Sequence, residues 1–172
     1  MSTASRVLVV AASRGIGLEL VHQYRAEGAR VVATARDDAG LARLAALGAT
    51  ALRLDVADAA SAAGLARQLD GGAFDRSPAP ASSLALRASA SQWLYRASKA
   101  ALNSVVRDAA ALLAGRALCV ALHPGWVRTD MGGSEADIDV GTSAAGLRRT
   151  LAGLDAAHSG AFLNYDGTAL AW

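Results

Sequence analysis

Short apolar runs alternate along this chain with longer segments whose apolar residues recur every three or four positions, and that alternation predicts an α/β fold. Residues 6–11, Arg6-Val7-Leu8-Val9-Val10-Ala11, read as a strand buried on both faces, the pattern of a parallel sheet. The turn Ala12-Ser13-Arg14-Gly15-Ile16-Gly17 follows, then a helix to about residue 27 with Ile16, Leu20, Val21 and Tyr24 on one stripe. Residues 30–35 repeat the strand pattern, so the unit is βαβ. Leu41, Leu44, Ala45 and Leu47 mark a short helix ended by Gly48. Residues 50–54 read as a third strand, and Asp58 as the cap of a helix carrying Leu65 and Leu69 and stopping near Gly71-Gly72.

Farther on, an alanine-rich helix runs from about residue 93 to 114 and ends at Gly115. Residues 117–122 predict a buried strand holding Cys119. Residues 142–154 predict a helix with Ala145, Leu147, Leu151 and Leu154 inward, and residues 160–165 a last strand. Residues 132–140 are polar and glycine-bearing, the composition of a mobile lid. Residues 73–92 follow neither period, and Pro78 and Pro80 remove the ladder donors a central strand needs. The expectation is one domain over residues 1–172 with an irregular or interrupted segment at 73–92.

Composition narrows the class. The 172 residues are 53% hydrophobic and 19% charged, enough for one core and unlike a disordered chain. The net charge is +2 and the arginines are scattered singly, so neither nucleic acid nor an anionic membrane is an expected partner. No apolar run approaches a membrane span. Cys119 is alone and cannot form an internal disulfide, and no signal-peptide core stands apart from the first strand, so a cytoplasmic location is expected. No metal site is expected.

Three places carry candidate chemistry. The glycine turn joins a buried strand to a helix N-terminus, where backbone N–H groups and the helix dipole suit a phosphate; the plain alternative is a tight turn with no ligand. At the end of the second strand, where an acid would select NAD, stand Ala35 and Arg36. Arg36, assisted by Arg14, suits a 2′-phosphate and so NADP rather than NAD; otherwise it is a solvated charge beside Asp37 and Asp38, which are candidate caps of the next helix. Asp55 lies at a strand's C-terminal end, where such sheets bind ligands, or is a second helix cap. The third place is Tyr95 and Lys99, four apart and therefore on one helical face. An ammonium beside a phenol favours the phenolate, which prepares a general acid or base. Lys99 is the one lysine among 17 basic residues, as if a compact ammonium were needed where a guanidinium does not fit. His123, at a strand end, is read as structural.

Together these pieces resemble the short-chain dehydrogenase/reductase family, and within it the C-factor-type branch, over nearly the whole chain apart from residues 73–92. The carriers are Tyr95 and Lys99 with Ala97-Ser98 between them, Ser13-Arg14-Gly15-Ile16-Gly17, Asp55-Val56, and Pro124-Gly125 with Thr129. The resemblance implies a Rossmann-like, doubly wound parallel sheet and an NADP-dependent oxidoreductase acting on a carbonyl or secondary alcohol. It implies that Gly15, Ile16 and Gly17, flanked by Ala11, Ser13 and Arg14, hold the pyrophosphate. Asp55 and Val56 would meet the adenine, and Pro124, Gly125, Val127 and Thr129 would border the nicotinamide. Lys99 would bond the nicotinamide ribose, Tyr95 would protonate the substrate oxygen, and Ser83, second of a Ser-Ser pair, would orient it. Family members commonly pair through the helix before that serine, the tyrosine helix and the last strand. A homodimer or higher oligomer is expected, using the apolar end at 162–172.

The chain departs from the family in three ways. Ala11 replaces the first glycine and crowds the turn. No asparagine precedes Asn103, so the catalytic tetrad's asparagine has no counterpart. Residues 71–94 stand where the family builds strand, long helix and strand, and a βαβ unit needs roughly 30 residues. The central strand-helix-strand unit is thus missing or lies outside this sequence, and a discontinuity or an irregular segment is expected between residues 75 and 93. The alternative function is a non-catalytic nucleotide-binding or signalling protein that keeps a truncated fold of this kind.

Overall fold

The structure, a computed structural model, describes residues 4–69 and 93–172. The expectations for residues 73–92, for a discontinuity between 75 and 93, and for Ser83 lie outside the described residues. The chain divides into two compact units, one of described residues 4–69 with 129–131, the other of 93–128 with 132–172.

The first unit runs β1 (Arg6–Val9), α1 (Gly15–Ala26), β2 (Arg30–Ala35), α2 (Asp38–Ala46), β3 (Thr50–Arg53) and α3 (Ala59–Gln68). The strands are parallel in the order β1-β2-β3, with Val7 beside Val31 and Thr34 beside Leu52. This parallel arrangement agrees with the Rossmann-like sheet that the resemblance implied. Strand β2 is central and buried from Val31 to Ala35, which explains its unbroken apolar run. Leu20, Val21 and Tyr24 are the buried stripe of α1, while Ile16, expected with them, is only half-buried. Burying each such aliphatic side chain contributes roughly 1.5–3 kcal/mol. Asp37 and Asp58 cap α2 and α3 through the amides of Gly40 and Ala60. Strand β1 is shorter than its apolar run because Ala11 turns into the left-handed region at φ 58°.

The second unit holds α4 (Trp93–Leu112), β4 (Ala121–His123), α5 (Val140–Ala152), a 3-10 turn (Ala156–His158) and β5 (Phe162–Asn164). Strands β4 and β5 pair in parallel, and Ala121 and Phe162 form a core against which Val106 and Leu170 pack. Two expectations are corrected. The strand predicted at 117–122 begins only at Ala121; Cys119 lies before it, half-buried, and Leu118 is 41% exposed. The reason is that β5 is three residues long, and upstream of it the pairing continues by two bonds, from the Ala121 amide to the Ala161 carbonyl at 3.0 Å and from the Gly160 amide to the Cys119 carbonyl at 2.8 Å. Helix α5 buries Leu147 as predicted, but Ala145, Leu151 and Leu154 are only half-buried; Ser143, Ala144 and Gly146 are the other buried residues, and Tyr165 lies against Gly146 and leaves no room there for a side chain.

Residues 132–140 are tied back to their neighbours. The Arg128 amide donates to the Ile138 carbonyl at 2.8 Å, its guanidinium to the Ala136 carbonyl at 2.9 Å, and the Trp126 indole to the Gly132 carbonyl at 2.9 Å. Trp172 is partly exposed and held within its own unit. Its ring lies 5.3 Å from that of Phe162, its Nε1 donates to the Gly160 carbonyl at 3.1 Å, and Arg107 stacks on it at 5.4 Å.

Candidate active site

The glycine turn is built by close backbone approaches. A Cβ on Gly17 would stand 2.7 Å from the Ala11 carbonyl oxygen, so no larger residue fits. Gly15 takes φ 54°. Gly40 lets α2 approach the turn, since a Cβ there would meet both Ser13 and Ala35 at 2.8 Å. The left-handed conformation of Ala11 costs roughly 1–2 kcal/mol for an L-residue. It is held by β2: the Ala11 amide donates to Thr34 Oγ1 at 3.0 Å and the Ala12 amide to the Thr34 carbonyl at 2.8 Å. Helix α1 then begins with Arg14 at its N-cap, with no side-chain cap and no acid in its first turn. Helices α2, α3 and α5 each begin instead on an aspartate, Asp37, Asp58 and Asp139.

The ends of β2 and β3 bring three arginines into account. Arg36 is exposed just beyond β2. Its neighbour Asp37 is committed to the Gly40 amide at 2.7 Å. Asp38 pairs with the Arg53 guanidinium, which also donates to the Arg36 carbonyl at 2.6 Å. Arg14 lies 3.9 Å from Asp130, both largely exposed, a pair of little energetic weight. Asp55 is half-buried and fixed as a turn, its amide on Ser61 Oγ and its carboxylate accepting from the Ala57 amide, each at 3.0 Å. Val56 beside it is 75% exposed, an apolar surface at the C-terminal end of β3. Thr129 belongs to this unit too, its methyl 3.8 Å from where a Gly15 Cβ would stand.

In the second unit, Tyr95 and Lys99 share one face of α4, the ammonium 5.6 Å from the centre of the phenol ring. Both are half-buried, and burial lowers the pKa of Lys99 below its ordinary value. Ser98, between them, turns its hydroxyl back to the Tyr95 carbonyl at 2.7 Å. His123 closes β4. The Pro124 carbonyl accepts from the fully buried Ser143 hydroxyl at 2.7 Å. Gly125 takes φ 85° where a Cβ would meet Ile138 at 2.9 Å and Tyr165 at 3.1 Å, and buried Val127 bridges to Ile138.

The structure therefore brings together Ala11, Ser13, Arg14, Gly15, Ile16, Gly17, Arg36, Asp55, Val56 and Thr129 in one unit. Tyr95, Lys99, Pro124, Gly125 and Val127 lie in the other. Thr34, Arg53 and Ser143 were missed. Thr34 had a signal, the one hydroxyl in the apolar run of β2, and Arg53 was the one charge in its strand; Ser143 had none. Among the described residues no group of side chains could hold a metal ion.

Comparison with known proteins bears on the family and the fold. The family described as short chain dehydrogenase matches residues 5–72. The C-signal protein of Myxococcus xanthus is 44% identical over 91 residues, which cover 52% of this chain and 55% of that protein, so the chain spans about half the length of this curated relative. Among solved structures, the NADPH-bound carbonyl reductase from chicken fatty liver superposes with a TM-score of 0.81 at 27% identity. That match covers 99% of this chain and 100% of the other. A carbonyl reductase of Pseudomonas aeruginosa PAO1 in complex with NADP gives 0.78 at 29% identity with the same coverage. The resemblance to short-chain dehydrogenases and the Rossmann-like α/β fold are both borne out.

Proposed function

We propose that this chain is an NADP(H)-dependent oxidoreductase that interconverts a carbonyl and a secondary alcohol. The observation that carries the reading is the Tyr95–Lys99 pair, a phenol and a half-buried ammonium on one helical face. The first unit suits the cofactor. Its α1 N-terminus has no side-chain cap, its turn excludes a Cβ at Gly17, and the two carboxylates beside Arg36 are committed to Gly40 and Arg53. The two carbonyl reductases above are NADP(H) complexes, which agrees with that assignment.

Bound NADP(H) supplies or accepts a hydride. The amides of Gly15, Ile16 and Gly17 hold the pyrophosphate on the positive end of α1, with Ala11 and Ser13 shaping the turn. Arg36 and Arg14 hold the 2′-phosphate, and Asp55 and Val56 border the adenine. Pro124, Gly125, Val127 and Thr129 border the nicotinamide, and Lys99 binds its ribose. The Tyr95 hydroxyl gives its proton to the carbonyl oxygen in reduction and recovers it in oxidation, with the Lys99 ammonium beside its ring. Ser83 orients the substrate oxygen, a role assigned from its sequence position alone. The partner is a small-molecule carbonyl or alcohol. A second copy is proposed as a further partner, because α4 exposes Trp93, Leu94, Val105 and Leu112. The cytoplasm is the proposed location, in keeping with the lone thiol of Cys119.

A second reading, a non-catalytic nucleotide-binding or signalling protein, is favoured by the relative named C-signal and by the lack of any asparagine before Asn103. Titration with NADPH followed by a carbonyl screen separates the two. Turnover supports the enzyme. Tight binding without turnover supports the second reading, and no binding rejects both.

A further inference from the structure

We propose that Thr34 is a positioning residue for the phosphate turn, and that its hydroxyl is what allows an alanine at position 11. The inference rests on the dinucleotide reading for its affinity readout only. Position 11 is left-handed, φ 58°, and is the one described non-glycine residue with positive φ. Alanine disfavours that conformation, so something outside the turn must hold it. Thr34 supplies two acceptors in succession: its Oγ1 takes the Ala11 amide at 3.0 Å and its carbonyl takes the Ala12 amide at 2.8 Å. The side chain is 1% exposed, in a strand whose other buried residues are Val31, Val32, Ala33 and Ala35. Valine has nearly the same shape and suits such a strand, so the hydroxyl is there for a bond that valine cannot make.

The consequence reaches the helix N-terminus. The Ala11 carbonyl oxygen sits 2.7 Å from the place of a Gly17 Cβ, so the orientation of the Ala11 peptide sets how closely the turn packs on α1. Without the Thr34 hydroxyl, Ala11 relaxes towards negative φ. Its peptide then swings and the first amides of α1 lose their alignment. A glycine at position 11 would feel no such penalty. Thr34 should therefore matter in the presence of Ala11 and cease to matter with glycine.

The test compares wild type, Thr34→Ser, Thr34→Val, Ala11→Gly and the Ala11→Gly/Thr34→Val pair. Each is measured by NADPH titration and by thermal unfolding without ligand. Thr34→Val should weaken NADPH binding about tenfold, whereas Thr34→Ser and the double variant stay within about threefold of wild type. Wild-type affinity in Thr34→Val, or a double variant as weak as Thr34→Val, overturns the proposal. If wild type binds no NADPH, the functional reading fails and the pair is judged on unfolding alone. There Thr34→Val should lower Tm clearly beside Ala11 and little beside glycine, and equal losses overturn the proposal. If Thr34→Val does not fold, the double variant should; failure of both makes Thr34 a structural core residue and rejects the positioning role.

Discussion

The Arg53 guanidinium donates to the carbonyl oxygen of Arg36 at 2.6 Å while its other arm holds Asp38. One arginine thus braces the backbone of the next and occupies the nearer carboxylate, leaving Arg36 at the end of β2 as a local excess of positive charge. Arg36→Ala should weaken NADPH about 10- to 100-fold, the scale of charge-assisted hydrogen bonds lost, and leave NADH unchanged. Arg53→Ala should weaken NADPH in the same direction by returning Asp38 to Arg36. Parallel titrations with the two nucleotides check both, and equal losses for NADPH and NADH would remove the 2′-phosphate from the explanation.

Tyr95→Phe removes the one proton the proposed mechanism moves. Turnover should fall about 10²- to 10⁴-fold, the usual worth of a positioned general acid. NADPH affinity should stay within about threefold, because the ring and its contact with Lys99 persist. Steady-state rates beside a fluorescence titration read the two separately, and undiminished turnover would dismiss Tyr95 from the chemistry.

Lys99 links the site to stability. Burial lowers its folded pKa below the ordinary 10.5, so between the two values the unfolded chain binds more protons than the folded one. Stability therefore rises with pH across that window. The cost of burying the charge is fully present below the folded pKa and gone above 10.5. Lys99→Met should be more stable than wild type at neutral pH, with the difference closing as pH approaches 10.5, and it should lose activity. Denaturant midpoints across the alkaline range test this; a constant difference would mean that packing, not charge burial, separates the two proteins.

Leu94, Val105 and Leu112 are spaced by 11 and 18 residues, about three and five whole turns, so they form one exposed apolar line on α4. If a second copy covers it, wild type should be at least dimeric by light scattering at micromolar concentration. The Leu94→Glu/Val105→Glu variant should then be monomeric. A monomeric wild type would reject the pairing.

Much of the framework was legible in the residues themselves. The run at 30–35 became a strand with those limits because its apolar, β-branched residues leave it no other stable environment. Asp37 and Asp58 became caps because a carboxylate reaches amides two or three positions ahead whatever the rest of the fold does. Tyr95 and Lys99 share a face by helical spacing alone. These features depend on neighbours within a turn or two of the chain. The hold of Thr34 on Ala11 spans 23 positions, that of Arg53 on Asp38 spans 15, and that of Ser143 on Pro124 spans 19. The shortness of β4 follows from the length of its partner, not from the apolar run at 117–122. Such relationships come from strand register and from which side chain stands opposite, quantities that periodicity does not contain. So the chain's own pattern determined the α/β elements and the types of residue at the site. Tertiary packing alone decided how Ala11 could stand where a glycine is easier, and which charges remain beside Arg36, because each depends on a hydrogen bond between residues that only the folded sheet brings together.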